Sequence, residues 1–282
     1  MAKIVGVHGI GQQYKGEHTL HAEWLRSLKD GLARADCVLT ADEDFTCAFY
    51  GDLFRTTNAK SAALAPSLNA RDVDHWFEQE LLYVLWNEAA LLDPTVRKPD
   101  ESTKLSTPRT VQRALDALSH SRFFAGIATR LMIADLKQVR QYIHDADIRQ
   151  QVLARIVRSV DNDTRVIVAH SLGSLVAYEA LCAHPEWPVR VFITIGSPLG
   201  IRNIVFDALE PAPKDSIGEW PTGIEHWINI ADKSDVVALS KALALRFGSG
   251  VKDYLVDNGV KAHDVARYLT TRELGDAVAL AL

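Results

Sequence analysis

The chain has 282 residues, of which 48% are hydrophobic and 24% charged, and its formal net charge is −5. This length fits one large domain or two small ones, and the apolar content is ample for a buried core. The acidic balance argues against nucleic acid or an anionic membrane surface as a partner. No run approaches the roughly 20 apolar residues that a membrane-spanning helix needs, so we expect no integral membrane segment.

The cysteines and the start of the chain bear on its cellular compartment. The three cysteines, Cys37, Cys47 and Cys182, are odd in number and lack the spacing of metal ligands. A disulfide framework is therefore not expected, which suits a reducing compartment. The first residues are too poor in apolar side chains for a secretory signal peptide. Together these features predict a cytoplasmic protein.

The chain opens with a strand, a helix and a second strand. Apolar, β-branched residues predict a buried strand over Ile4–Val7, followed by a glycine-broken turn over His8–Gln13. Apolar residues at helical spacing predict a helix over Glu17–Ala35, and Phe45–Tyr50 is typical of a strand. This order, without hairpin turns, favours a parallel sheet with right-handed crossovers.

Residues 53–160 have the pattern of helices only, and we interpret them as a helical insertion in a single domain that spans residues 1–282. Four helices are predicted there: Asp72–Leu92, Thr110–Leu118, Ala125–Ile143 and Ile148–Val160. A polar stretch, Arg97–Pro108, is predicted to be a loop. One interpretation is that part of the insertion forms a cap over a functional site. The alternative is that these helices only cover the sheet and pack beside it.

The second half of the chain is organised around a strand that turns directly into a helix. Val166–Ala169 has the pattern of a strand buried on both faces, and helical spacing begins at Leu172. Between them stands Ser171, with Gly173 two residues later. A sharp strand-to-helix turn would expose the serine hydroxyl above the sheet, where the helix N-terminus favours negative charge.

Three further strands are predicted, over Val189–Ile195, His226–Ile230 and Tyr254–Val256, with a final helix after His263. Alternation of buried strands and helices predicts an α/β fold with a mostly parallel central sheet and helices on both faces.

Residues 169–173, Ala-His-Ser-Leu-Gly, resemble the nucleophile elbow of the α/β-hydrolase superfamily, whose usual form is Gly-x-Ser-x-Gly. Small bacterial lipases with an Ala-His-Ser-x-Gly elbow have the same alanine in the first position. Residues 8–11, His-Gly-Ile-Gly, resemble the oxyanion loop of those lipases. The turn at residues 196–200, Gly-Ser-Pro-Leu-Gly, is also similar to a turn of lipases. The resemblance covers residues 1–52 and 162–282 and implies a serine esterase or lipase.

The resemblance implies Ser171 as the nucleophile, followed along the chain by an acid and then a histidine. Three histidines follow Ser171. His184 ends the elbow helix, and His226 precedes any acid at the end of its strand. His263 alone stands in a loop after the last strand, so we interpret it as the base.

Two aspartates qualify as the acid. Asp232 and Asp235 both follow the strand that starts at His226, and the carboxyl ends of parallel strands lie at one edge of the sheet. Residues 235–237, Asp-Val-Val, resemble the Asp-x-Val segment that carries the acid in lipases, which favours Asp235. Asp232 is the alternative acid, or a residue that shapes the turn.

The oxyanion of the tetrahedral intermediate requires two backbone donors. The resemblance implies the amide of Leu172, directly after the nucleophile, and the amide of Ile10 in the loop after the first strand.

The implied function is hydrolysis of carboxylic esters through an acyl-serine intermediate, on a small-molecule ester or lipid with a hydrophobic acyl group. A thioesterase, amidase or acyltransferase would use the same triad, and a non-catalytic binding module is a third hypothesis. No cofactor is implied. No metal is expected either, because the histidines show no helix-spaced ligand pair.

Overall fold

The computed structural model describes residues 2–55, 67–100, 103–124 and 127–282. Six strands form one sheet in the order β2-β1-β3-β4-β5-β6, and every neighbouring pair is parallel. The strands are β1 (Ile4–Val7), β2 (Phe45–Ala48), β3 (Val166–His170), β4 (Val191–Ile195), β5 (His226–Asp232) and β6 (Val251–Val256). The predicted α/β class with a parallel sheet is confirmed.

Nine α-helices in the described residues surround the sheet. They are α1 (Glu17–Arg34), α2 (Trp76–Leu92), α3 (Pro108–Ser119), α4 (Thr129–His144), α5 (Ala146–Ser159), α6 (Gly173–Ala183), α7 (Ala244–Phe247), α8 (Val265–Leu269) and α9 (Arg272–Ala279). None of the helices in these ranges is long and apolar enough to cross a membrane.

The central strands are buried on both faces, and each face has its own apolar core. Helices α1, α8 and α9 pack together on one face, around Trp24, Leu28 and Leu274. Helices α5 and α6 cover the other face. Continuous burial explains why β3 and β4 are mostly apolar rather than alternating in pattern.

The strand order reverses between β1 and β3, because the chain passes from β1 outward to β2 and returns to the other side of β1. In open parallel sheets, the crevice outside the carboxyl ends of the strands at such a reversal is the usual place for a ligand. The loop after β1 and the turn after β3 meet at this crevice.

Several element boundaries differ from the sequence predictions. Strand β2 ends at Ala48, not Tyr50, and β6 begins at Val251, three residues before the predicted start. The single predicted final helix is two short helices, α8 and α9, separated by a cap at Thr271 whose side chain accepts a hydrogen bond from the Leu274 amide. Helix α4 begins at Thr129, and the predicted start at Ala125 lies outside the described residues. Parts of the predicted loop and insertion, residues 56–66 and 101–102, also lie outside them.

Candidate active site

Ser171 lies at the sharp turn between β3 and α6. Its φ angle is 54°, in the left-handed region that a non-glycine residue adopts at a cost of about 1–3 kcal/mol. The surrounding backbone holds this conformation: the Ser171 amide donates to the carbonyl of Ile195 at 3.2 Å, and the Ser174 hydroxyl donates to the Ser171 carbonyl at 2.6 Å. The turn therefore aims the serine side chain at the crevice and at the N-terminus of α6.

Two glycines allow the loop after β1 to approach the serine. A Cβ on Gly9 would lie 2.6 Å from the Cβ of Ser171, and a Cβ on Gly173 would lie 2.4 Å from the carbonyl oxygens of Val7 and His8. Both positions exclude any side chain. The small residues that the elbow and loop motifs contain are therefore required by close packing of β1 on the turn.

Ser171, His263 and Asp235 form a continuous chain of hydrogen bonds. The Nε2 atom of His263 lies 3.0 Å from Oγ of Ser171, and its Nδ1 atom lies 2.7 Å from Oδ2 of Asp235. Because the carboxylate can only accept, Nδ1 carries the proton and Nε2 is free to accept the serine proton. The structure thus brings together the three residues that the sequence predicted as nucleophile, base and acid.

Asp235 is fully buried, and its carboxylate is held by several donors. Besides His263, the Tyr268 hydroxyl donates to Oδ2 at 2.8 Å, and the Val237 amide donates to Oδ1 at 2.9 Å. Burial by itself would raise the pKa of the Asp235 carboxyl. The charge of His263 and these hydrogen bonds outweigh burial and lower the pKa to about 2. Asp235 is a fixed negative charge beside the imidazole.

Asp232, the alternative acid, has a different role in the structure. Its carboxylate accepts hydrogen bonds from the backbone amides of Ser234, at 2.6 Å, and of Asn258. It therefore ties the end of β5 to the segment after β6. Within the described part of the chain, no hydrogen bond joins Asp232 to His263, so the structure separates the two candidates that the sequence left open.

The two other histidines after Ser171 lie elsewhere. His184 follows the end of α6, where Nδ1 lies 2.8 Å from Oε1 of Glu186. His226 is the first residue of β5, at the amino ends of the strands, whereas Ser171 lies at their carboxyl ends.

The two predicted oxyanion donors, the amides of Ile10 and Leu172, flank Ser171. In the ranges that the structure describes, neither amide donates to a protein acceptor. The loop that carries Ile10 is ordered by His8, which is buried and whose Nδ1 donates to the Gly9 carbonyl at 2.7 Å. Nε2 of His8 accepts from the Tyr50 amide at 3.1 Å, and burial lowers the pKa of His8 to about 4. His8 is therefore a neutral structural residue.

His170 holds the backbone of His263 in place through a hydrogen bond. Its Nε2 donates to the backbone carbonyl of His263 at 3.1 Å, and the two rings lie 4.7 Å apart. Burial, and then the charge of His263, lower the pKa of His170 to about 3. A neutral His170 keeps this donor and adds no positive charge beside His263.

A cavity of about 510 Å³ opens above Ser171 and His263. Its volume is within the roughly 300–1,000 Å³ of small-molecule sites. Helices α2, α3 and α4 of the insertion contribute part of its apolar wall, with Leu81, Leu82, Leu85, Leu118, Met132, Leu136 and Val139. The insertion therefore provides part of the surface that a bound molecule would contact next to the serine.

One wall of this cavity carries a carboxyl group. Asp135 of α4 lines the cavity, and its Oδ1 would lie 3.7 Å from a Cβ on Gly11. One turn later on α4, Oε1 of Gln138 accepts a hydrogen bond from the Gly11 amide at 3.2 Å. Helix α4 is thus attached to the loop that carries Ile10. Burial raises the pKa of Asp135 to about 7, against the opposing effect of the His263 charge.

Comparisons with known proteins give no relative: no family model matches the chain, and no curated protein or solved structure matches it either. Fold and side-chain geometry therefore carry the functional argument. Among the described residues, no group of three or more His, Cys, Asp and Glu side chains could hold a metal ion.

Sequence reasoning missed Tyr268 and Asp135. Tyr268 has no sequence signal, because it meets Asp235 only through the packing of α8 against the end of β5. Asp135 did have one. It stands between Met132 and Val139 at helical spacing, so an acid interrupts the apolar face of a predicted helix.

Proposed function

We propose that the chain is a serine hydrolase of the α/β-hydrolase superfamily that cleaves carboxylic esters with a hydrophobic acyl group. The observation that carries the proposal is the hydrogen-bond chain from Ser171 Oγ through His263 to Asp235, with distances of 3.0 and 2.7 Å, at the mouth of the cavity. A serine on a strained turn, a base and a buried acid in this geometry are the arrangement that activates a hydroxyl for acyl transfer.

In the proposed reaction, Nε2 of His263 takes the Ser171 proton while Oγ attacks the ester carbonyl carbon. The carbonyl oxygen becomes an oxyanion, which the amides of Ile10 and Leu172 and the N-terminus of α6 stabilise. Collapse of the intermediate breaks the bond to the alcohol, which takes the proton from His263. Water then attacks the carbonyl carbon of the acyl-serine while Nε2 of His263 takes its proton. Collapse of this second intermediate releases the carboxylic acid, and Ser171 Oγ leaves with the proton from His263.

Asp235 supports both halves of this reaction. It keeps the Nδ1 proton in place, which fixes the reactive tautomer, and its charge stabilises the imidazolium that forms. The low pKa of its carboxyl, about 2, keeps it ionised across the working pH range.

The apolar wall of the cavity supports the choice of a hydrophobic acyl group. Leucine side chains from α2 and α3 and Met132 from α4 offer no hydrogen-bond donors to a sugar, peptide or phosphate. Burial of a methylene against such a wall is favourable by about 0.8 kcal/mol, so affinity should increase with chain length until the cavity is filled.

A p-nitrophenyl ester series from acetyl to dodecanoyl tests the proposal. We expect kcat/KM to increase over the first members of the series, and Ser171→Ala to abolish turnover at every chain length. Ser27→Ala is the matched control, because in the described ranges the Ser27 hydroxyl on α1 bonds only to the Glu23 carbonyl of its own helix. Absence of turnover on every ester by the wild-type protein would contradict the esterase and favour the binding module.

A further inference from the structure

The carboxyl group of Asp135 lines the cavity, and the proposed reaction does not use it. No hydrogen bond or ion pair reaches it from the residues that the structure describes. An ionised carboxyl group without a partner on a mostly apolar wall is unfavourable in free energy. A bound molecule that supplied a positively charged partner would offset this cost.

Four cations of α4 and of the cavity wall have partners of their own. On α4 itself, Lys137 and Arg140 bind Glu78, at 3.2 and 2.7 Å. Two other cations line the cavity: Arg122, which donates to the Leu92 carbonyl at 3.1 Å, and Lys261.

Lys261 lies 4.0 Å from Asp264. Among the described residues, none of these cations pairs with Asp135, so a bound molecule that carries a positive charge could do so.

The other acids of the cavity are also engaged. The Asp235 carboxylate accepts hydrogen bonds from His263, Tyr268 and the Val237 amide, and Asp264 caps α8 through the Ala266 amide at 2.9 Å. Asp135 differs from both in presenting its carboxyl to the cavity without a protein donor. Among the described residues, the cavity thus combines apolar lining with one carboxyl group that has no protein donor.

We propose that Asp135 is the residue that determines substrate specificity, by pairing with a protonated amine of a substrate that also has a hydrophobic part. This inference rests on the proposed function, because it takes the cavity at Ser171 as the substrate site. Its substrate class is an ester with an ammonium group close to the scissile bond.

The position of Asp135 also gives the pairing an effect on rate. Its carboxyl lies beside Gly11, in the loop that carries the oxyanion donor Ile10. An unpaired carboxylate there opposes the negative charge of the tetrahedral intermediate, whereas a carboxylate paired with an ammonium does not. The cavity would therefore favour amine-bearing esters in the transition state as well as in binding.

Isothermal titration calorimetry with n-hexylamine and 1-hexanol, at pH 8, tests the inference without any turnover. The two probes share the alkyl chain, and only the amine is charged. We expect the wild-type protein to bind n-hexylamine at least about tenfold more tightly than 1-hexanol, a difference of about 1.4 kcal/mol.

Two variants assign this preference to one carboxyl. In Asp135→Asn, which is nearly isosteric, we expect the difference between the two probes to fall below about threefold, since the charge is gone. Asp264→Asn is the matched control: it removes an acid that lines the same cavity, and the amide oxygen can still cap α8. We expect it to keep the tenfold preference.

Equal affinity of the wild-type protein for both probes overturns the inference, and this outcome needs no variant. Retention of the preference in Asp135→Asn overturns it as well. Because the titration does not depend on turnover, a protein that binds n-hexylamine selectively but fails to hydrolyse esters would contradict the proposed function alone.

Discussion

Asp235 and Asp135 line the same cavity, and they come from two differently built regions. Asp235 follows strand β5 at the edge of the sheet, and Asp135 belongs to α4 of the helical insertion. Burial acts on both in the same direction, yet the pKa of Asp235 is lowered to about 2 and that of Asp135 is raised to about 7. The difference is in the partners: Asp235 has donors from four residues, and Asp135 has none among the described residues.

This contrast shows how one cavity holds one carboxyl that stays ionised and another that can be protonated near neutral pH. The sheet edge can supply convergent backbone amides, because the turns after parallel strands meet there, and so it stabilises a permanent carboxylate. The insertion presents a helix side, whose backbone amides are already bonded within the helix. Its carboxyl is left to be paired by a ligand or protonated.

The largest effect should follow from removing His263, the proposed catalytic base. We expect His263→Ala to lower kcat for ester hydrolysis by at least about a thousandfold, while the protein remains folded, since the serine then has no proton acceptor. His226→Ala is the matched control at the amino ends of the strands. If His226→Ala lost activity and His263→Ala retained it, the assignment of His263 as the base would be wrong.

Substitutions of the two aspartates near the end of β5 should affect different properties of the protein. We expect Asp235→Asn to lower kcat by up to about ten-thousandfold, because an amide at this position stabilises the wrong imidazole tautomer. Asp232→Asn should lower the melting temperature, because its new NH₂ group would face backbone donors, and leave much more activity.

Ester hydrolysis and thermal unfolding of both variants should be measured in one buffer. An inactive Asp232→Asn beside an active Asp235→Asn would move the acid to the alternative position.

A smaller effect is expected at Tyr268, which holds the acid in place. Its hydroxyl donates to Oδ2 of Asp235 and accepts from the Asp232 amide, both at 2.8 Å. A hydrogen bond to a charged group contributes about 1.5–3 kcal/mol, so we expect Tyr268→Phe to lower kcat by about tenfold with KM unchanged. Tyr254→Phe, on the exposed face of β6, is the control.

A double variant distinguishes positioning from general destabilisation. If Tyr268 acts through Asp235, adding Tyr268→Phe to Asp235→Asn should cost little further activity. Independent, multiplicative losses in the double variant would argue that Tyr268 acts on stability alone.

The smallest effect concerns the insertion region and depends on pH. The pKa of an aspartate side chain in an unfolded chain is about 3.9. With a folded pKa of about 7, Asp135 keeps its proton in the folded state over a range where the unfolded chain has lost it. Stability should therefore fall as pH rises from about 4 to 7, and the full penalty remains above pH 7.

Replacing Asp135 by Asn should remove this penalty. We expect Asp135→Asn to raise the melting temperature at pH 8 by about 2–4 °C for each kcal/mol recovered, and to change it little at pH 4. Asp264→Asn is measured alongside. A gain that is equal at both pH values would contradict the proposed origin in ionisation.

Much of the sheet-edge region could be predicted from the sequence. Strands buried on both faces leave mostly apolar runs, as in β3 and β4, and the turns that follow them hold the site residues. Strand β6 was predicted too short, because it is the edge strand and Lys252 and Leu255 on it are exposed. Its weak pattern reflects its position.

The insertion side could not be predicted in the same way. Apolar periodicity gives the helices α2 to α4, but it does not say which face of each helix meets the sheet and which lines a cavity. Asp135 lines the cavity beside the loop after β1, and Gln138 of the same helix accepts a hydrogen bond from that loop. That contact joins residues 127 positions apart, so no local pattern contains it.

The most direct test of the central claim is covalent labelling with a fluorophosphonate, followed by peptide mass spectrometry. The hydrogen-bond chain at Ser171 predicts one phosphonate per molecule, on the peptide that contains Ser171, and much slower labelling in His263→Ala. Labelling on another serine, or no labelling of a folded wild-type protein, would contradict the claim that Ser171 is an activated nucleophile.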